Sequence, residues 1–121
     1  MCGIVGIVSN KSVSASIIGA LKKLEYRGYD SAGLATVDVS ADGNSGILNC
    51  QRAKGKLVNL ASCVDKHGAP GQIGIGHTRW ATHGKPEEWN AHPHCDSSGQ
   101  VAVVHNGIIE NHRSLRQGLE E

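Results

Sequence analysis

Apolar residues along the chain fall into short runs broken by glycine, and each run carries the period of one element. Residues 3–9 read GIVGIVS, a β-branched run that predicts a buried strand beginning beside the N-terminus. Val13, Ile17, Ile18, Leu21 and Leu24 then recur at helical spacing and predict a helix ending near Tyr26, with Gly28 as its stop. Ser12 or Ser14 is placed to cap its start, and Lys22 and Lys23 suit the dipole at its end. SAGLATVDV (31–39) predicts a second strand, ADGNSG (41–46) a turn, and residues 47–53 a third strand paired to the second as a hairpin. Residues 57–64 predict a short helix, and IGIGHT (73–78) and VAVVH (101–105) two further strands. Between those strands, residues 79–99 are long, polar and irregular, and loops of that length in compact domains are usually functional. Residues 110–121 predict a last helix, with Ile109, Leu115 and Leu119 available for its inner face. Helices over a largely antiparallel sheet make the fold class α+β or a layered α/β.

Composition narrows this picture. The 121 residues suffice for one small domain. With two Trp, two Tyr and no Phe, the core has to be aliphatic, and the Trp residues compete for burial. A net charge of +1 leaves no basic footprint for nucleic acid. No apolar run approaches the ~20 residues of a membrane span. The N-terminus has no secretory pattern, so a cytoplasmic location is expected. Cys2, Cys50, Cys63 and Cys95 form no Cys-x-x-Cys pair and read as free thiols of a reducing compartment.

Cys2 stands apart because of its position. Initiator Met is normally removed before a small side chain, which would leave Cys2 with a thiol and a free α-amine on one residue. An amine titrating near ~8 and a thiol near ~8.5 are both partly deprotonated at neutral pH. The amine can then serve as base for the thiol's own attack, and no histidine is required. Taken alone, a second-position cysteine is more often incidental than catalytic. His105-Asn106-Gly107 places an amide and a glycine N–H where both can aim at one oxyanion, although it also reads as an ordinary turn. In HTRWATHG (77–84), Arg79 offers a planar fork for a carboxylate, Thr82 a hydroxyl and Trp80 a lid; the plainer reading is a surface Arg and a core Trp. His77, His83, His92, His94 and Cys95 match no common zinc spacing, so a structural turn is favoured and no metal is expected. In EYRGYDSAG (25–33), Arg27 and Asp30 are placed to pair and brace a turn, and the glycines lack P-loop spacing.

Taken together, these segments resemble a known family. MCGIVG at the start is similar to the class II glutamine amidotransferases of the N-terminal nucleophile hydrolase superfamily. LEYRGYDSAGLA (24–35), HTRWATHG (77–84), NAHPH (90–94) and VVHNGIIENH (103–112) resemble the branch that uses glutamine to aminate fructose 6-phosphate to glucosamine 6-phosphate. The resemblance implies a four-layer α-β-β-α sandwich, and Cys2 as the nucleophile taking the γ-acyl group of glutamine. It implies an oxyanion hole from Asn106 and Gly107, which also contacts substrate, and Arg79 on the substrate carboxylate beside Thr82 and His83. It implies Trp80 as a gate on the ammonia path and Arg27 as a support of the nucleophile. No cofactor is implied. Fructose 6-phosphate would be met only by a separate isomerase domain, and the full-length relatives are expected to be homodimers.

The segment departs from the family in length. The family's glutamine domain continues to roughly double this extent, so residues 1–121 would be its front portion. An acidic residue that reads the substrate ammonium would lie beyond them, so little ammonia release is expected from these residues alone. Residues 40–50 fall where family members vary in length. Another class II amidotransferase, such as an amidophosphoribosyltransferase, and a non-catalytic module on the same scaffold are the alternatives.

Overall fold

The computed structural model describes residues 1–121. In chain order the elements are β1 (Gly3–Val8), α1 (Ser14–Lys22), β2 (Ser31–Val39), β3 (Gly46–Lys54), α2 (Leu57–His67), β4 (Ile73–Arg79), β5 (His94–Cys95), β6 (Ala102–Val103) and α3 (His112–Glu120). Four strands form one antiparallel sheet in the order β1-β4-β2-β3, and β5 pairs with β6 in a separate small ribbon. This α+β arrangement places β4 at the centre, with Gly3 opposite Thr78 on one side and Gly33 opposite His77 on the other.

Side chains alternate across a strand, so the sheet has two distinct faces. One face packs α1 and α2. Val13, Ile17 and Leu21 meet Ala32 and Leu34 of β2, Ala53 of β3, and Leu57 and Leu60 of α2 in the aliphatic core. Glycines on β4 set how close α1 comes: a Cβ on Gly74 would stand 2.6 Å from Ile17 Cδ1. The other face carries Ile75, His77 and Arg79. A strap covers part of it, and the carbonyl of His92 sits on Gly33 where a Cβ would collide with it. Ile4, Val8 and Ile73 remain exposed at one side of this face. An apolar recess of about 320 Å³ opens between Val37, Leu48, Ile75 and Val101. No helix is long and apolar enough to cross a membrane.

Most predicted elements appear, and the exceptions have physical reasons. Neither Ser12 nor Ser14 caps α1, whose N-cap is Val13 with no side-chain bond. Val13 is buried and donates its N–H to the Gly71 carbonyl at 2.9 Å, so packing fixes the helix entry. The helix stops at Lys22, and a 3₁₀ turn over Glu25–Arg27 carries the chain to Gly28 at φ 73°. The strand expected at 101–105 shrinks to Ala102–Val103, because only His94 and Cys95 lie alongside to pair with it. The last helix forms without an inner face: Ile109, Leu115 and Leu119 are all exposed. Both Trp residues are exposed too, Trp80 by 51% and Trp89 by 67%, so the core is purely aliphatic.

Candidate active site

The second sheet face, the loop after β4 and the segment after β6 enclose a cleft of about 510 Å³. Cys2, Arg79, Trp80, Thr82, His83, Asn106 and Gly107 all line it. Residues more than a hundred positions apart are thus brought to one concavity by three pieces of chain: the start of β1, the end of β4 with its following loop, and the turn after β6.

Cys2 is carried there by β1, whose first residue pairs with Thr78 of the central strand. The Trp80 N–H donates to Cys2 Sγ at 3.3 Å, and Sγ lies 3.7 Å from the Trp80 carbonyl. A backbone N–H aimed at sulfur suits a sulfur that becomes negative. The Met1 ammonium donates to the carbonyls of Arg27 at 2.9 Å and Gly28 at 3.4 Å. Arg27 lies behind the cleft, with Nη2 3.6 Å from Met1 Sδ and Nε buried without a partner.

Arg79 and His77 stand two residues apart on β4 and so point to the same side of the sheet. Arg79 is largely buried as a residue, and its guanidinium donates to the His83 carbonyl and, at 3.3 Å, to the Lys85 carbonyl. The loop therefore wraps around the cation, and Asn90 Nδ2 reinforces it by donating to the same Lys85 carbonyl at 3.0 Å. Asp30 closes the loop from beneath. Its N–H donates to the Arg79 carbonyl at 2.8 Å, and its carboxylate accepts the Ala81 N–H at 2.6 Å. The expected Arg27–Asp30 pair does not form, because the Asp30 carboxylate is committed to Ala81 and to the Ser31 hydroxyl. Trp80 leans over the 3₁₀ turn, where a Cβ on Gly28 would stand 3.2 Å from its ring.

Two histidines hold the Asn106 turn. His77 is fully buried, with Nε2 2.6 Å from Asn106 Oδ1. His92 stacks on it at 4.4 Å and accepts the His105 N–H on Nδ1 at 3.3 Å, and His94 tilts against His92 at 4.3 Å. Gly107 follows at φ 154°, and a Cβ there would lie 3.0 Å from His105 Nε2, so the turn is built for glycine. Sequence patterning assigns His77 and His92 to a histidine set and gives neither a place beside Asn106. The i, i+2 spacing of His77 and Arg79 on a strand is the available signal for His77. His92 has none, since its stacking is tertiary.

Burial dominates the electrostatics here. It pushes His77 below the usual imidazole range, against the opposing bond to Asn106, and pushes His92 down to about 4, with His77, His94 and Arg79 adding to the effect. His94 is lowered by burial and by Arg52 and Arg79. Unfolded imidazoles titrate near 6.5, so between there and the folded values the unfolded chain binds more protons and acid favours it. This stabilisation is complete above pH 6.5 and is lost as pH falls toward about 4. Thermal melts should therefore show Tm falling across that interval; a flat Tm down to pH 4 would contradict the buried histidine stack.

No protein-family model matches the chain. Curated relatives named glutamine–fructose-6-phosphate aminotransferase [isomerizing] are 57% identical over 120 residues in Thermosynechococcus vestitus and 59% over 119 residues in Rhizobium meliloti. These alignments cover 99% and 98% of the chain. Over its whole length the chain matches the N-terminal part of the glutamine–fructose-6-phosphate aminotransferases. It spans 18% of the length of those aminotransferases. Two solved structures share the fold. A glutamine phosphoribosylpyrophosphate amidotransferase from B. subtilis superposes with a TM-score of 0.73 at 24% identity, covering 99% of this chain and 25% of that one. A structure described as the allosteric regulatory enzyme of purine biosynthesis gives 0.76 at 27% identity, with the same coverage. The likeness to the aminotransferases is thus more than twice as strong in sequence, and it spans the elements that form the cleft.

Proposed function

We propose that this chain is the nucleophile-bearing portion of a glutaminase that supplies ammonia for converting fructose 6-phosphate to glucosamine 6-phosphate. The observation that supports it best is the convergence of Cys2, Arg79 and Asn106-Gly107 on one cleft. Once Met1 is removed, the α-amine of Cys2 accepts the thiol proton while Sγ attacks the side-chain amide carbon of glutamine. The carbonyl oxygen becomes an oxyanion held by the Asn106 amide and the Gly107 N–H. Collapse breaks the C–N bond, and the leaving nitrogen takes the proton from the α-ammonium and departs as ammonia. Water then hydrolyses the thioester to glutamate and restores the thiol. Arg79 holds the substrate α-carboxylate with its remaining donors, Thr82 and His83 border that site, and Trp80 covers the ammonia path. Arg27 braces the vacated N-terminal position. In this reading the sugar phosphate is handled by a separate isomerase domain, in keeping with the word isomerizing in the names of the relatives, and the full-length protein works as a cytoplasmic homodimer without a cofactor.

An electrophilic glutamine analogue tests this reading. Incubated with the protein expressed from its natural reading frame, a diazoketone analogue should modify Cys2 and nothing else, as read by peptide mass spectrometry, and excess glutamine should protect it. Modification confined to Cys50, Cys63 or Cys95, or a retained Met1 throughout the purified protein, would reject the proposal.

A further inference from the structure

The orientation of the Asn106 amide decides whether it can serve an oxyanion. Its Nδ2 donates, whereas its Oδ1 would repel a negative oxygen. Asn106 follows a short strand and is itself exposed, so its backbone alone leaves both orientations open. The choice is made by His77. That ring is fully buried, with Nε2 2.6 Å from the Asn106 side chain and Nδ1 buried with no protein group to pair with. This pair has two arrangements open to it. If the proton sits on Nε2, it is donated to Oδ1, and only an acceptor is left unpaired at Nδ1. If the proton sits on Nδ1, Asn106 must donate to Nε2, and a buried N–H is orphaned. Orphaned buried N–H groups are the rarer and costlier defect. The first arrangement wins, and it turns Nδ2 away from His77. His92 completes the frame, since its stacked ring fixes the plane of His77 and its Nδ1 takes the His105 N–H next to Asn106.

We propose that His77 is the positioning residue of the oxyanion site, held in the neutral Nε2–H form so that it takes the Asn106 oxygen and presents the Asn106 N–H to the cleft. This rests on the glutaminase reading. A group that acts only through the oxyanion donor stabilises the transition state without touching ground-state glutamine. Its loss should therefore appear in kcat and leave KM unmoved.

The experiment pairs kinetics with nitrogen spectroscopy on the protein from its natural reading frame. His77→Leu should lower kcat for ammonia release by about 10- to 100-fold, less than the ~10²–10³ of losing an oxyanion donor outright, with KM for glutamine unchanged. His77→Gln, whose amide N–H reaches near the position of Nε2, should recover most of the rate. Side-chain ¹⁵N correlation spectra of wild type should show the His77 ring protonated at Nε2 and bare at Nδ1. Equal defects in the Leu and Gln variants, a matching rise in KM, or a proton on Nδ1 would each overturn the proposal. If His77→Leu does not fold, the wild-type spectrum and the Gln variant still decide. Wild type that releases no ammonia would remove the glutaminase reading, while the spectrum would still judge the His77–Asn106 bond.

Discussion

Cys2→Ser is expected to lower ammonia release from glutamine by on the order of 10⁴-fold or more, the scale seen when a covalent nucleophile is removed. The substitution is informative because it changes only one link. Serine is small, so removal of Met1 continues and the α-amine remains in place. The oxygen, however, starts from a hydroxyl, which is far less acidic than a thiol, so the amine can scarcely take its proton. No other sulfur can substitute. Cys50 is pushed up to about 12 by burial, with Cys95 beside it, so it stays protonated, and the cleft itself contains Cys2 alone among the four. A coupled assay for released ammonia measures the loss, with Cys50→Ser as a control that should retain the wild-type rate. A Cys2→Ser protein within tenfold of wild type would end the claim that this thiol carries the chemistry.

The sequence reveals the elements that depend on local pattern. Strand β2 is predicted at 31–39 and forms there, because its apolar run is bounded by polar turns and pairs on both sides. Residues lining the cleft are also legible, since HTRWATHG and HNG place donors at strand ends. What the pattern does not reveal is which partner each polar group takes. Asp30 is placed to answer Arg27, three residues away, but it bonds the Ala81 N–H some fifty residues on, because β2 and β4 are neighbours in the sheet. His77 and His92 read as a loose histidine set, and their stacking needs Gly33 to admit the His92 carbonyl. The inner face expected for α3 is apolar in sequence, yet Leu115 and Leu119 stay exposed, since amphipathicity states only that a helix can be covered.

Asn106→Asp should be the second most damaging change, lowering kcat at least 10³-fold and exceeding the loss caused by Asn106→Ala. Alanine removes one oxyanion donor, which typically costs a factor of ~10²–10³. Aspartate removes the same donor and adds a charge of the wrong sign. Its carboxylate fits where the amide was, and the Nε2–H of His77, now 2.6 Å from Oδ1, can still bond to one oxygen. The other oxygen then faces the cleft. At ~4 Å and an effective dielectric of ~20, two like charges repel by about 4 kcal/mol, comparable to the donor that was lost. The histidine responds in the opposite direction, since a carboxylate beside it favours its charged form and offsets the burial that lowers it. A protonated His77 would in turn neutralise part of the new charge, so the aspartate variant should be least impaired at acid pH and worst above neutrality, a slope the alanine variant lacks. Steady-state kinetics of both variants from pH 6 to 8 separate the cases. If Asn106→Asp matched or outperformed Asn106→Ala across that range, the side chain at this position could not be facing a developing negative charge.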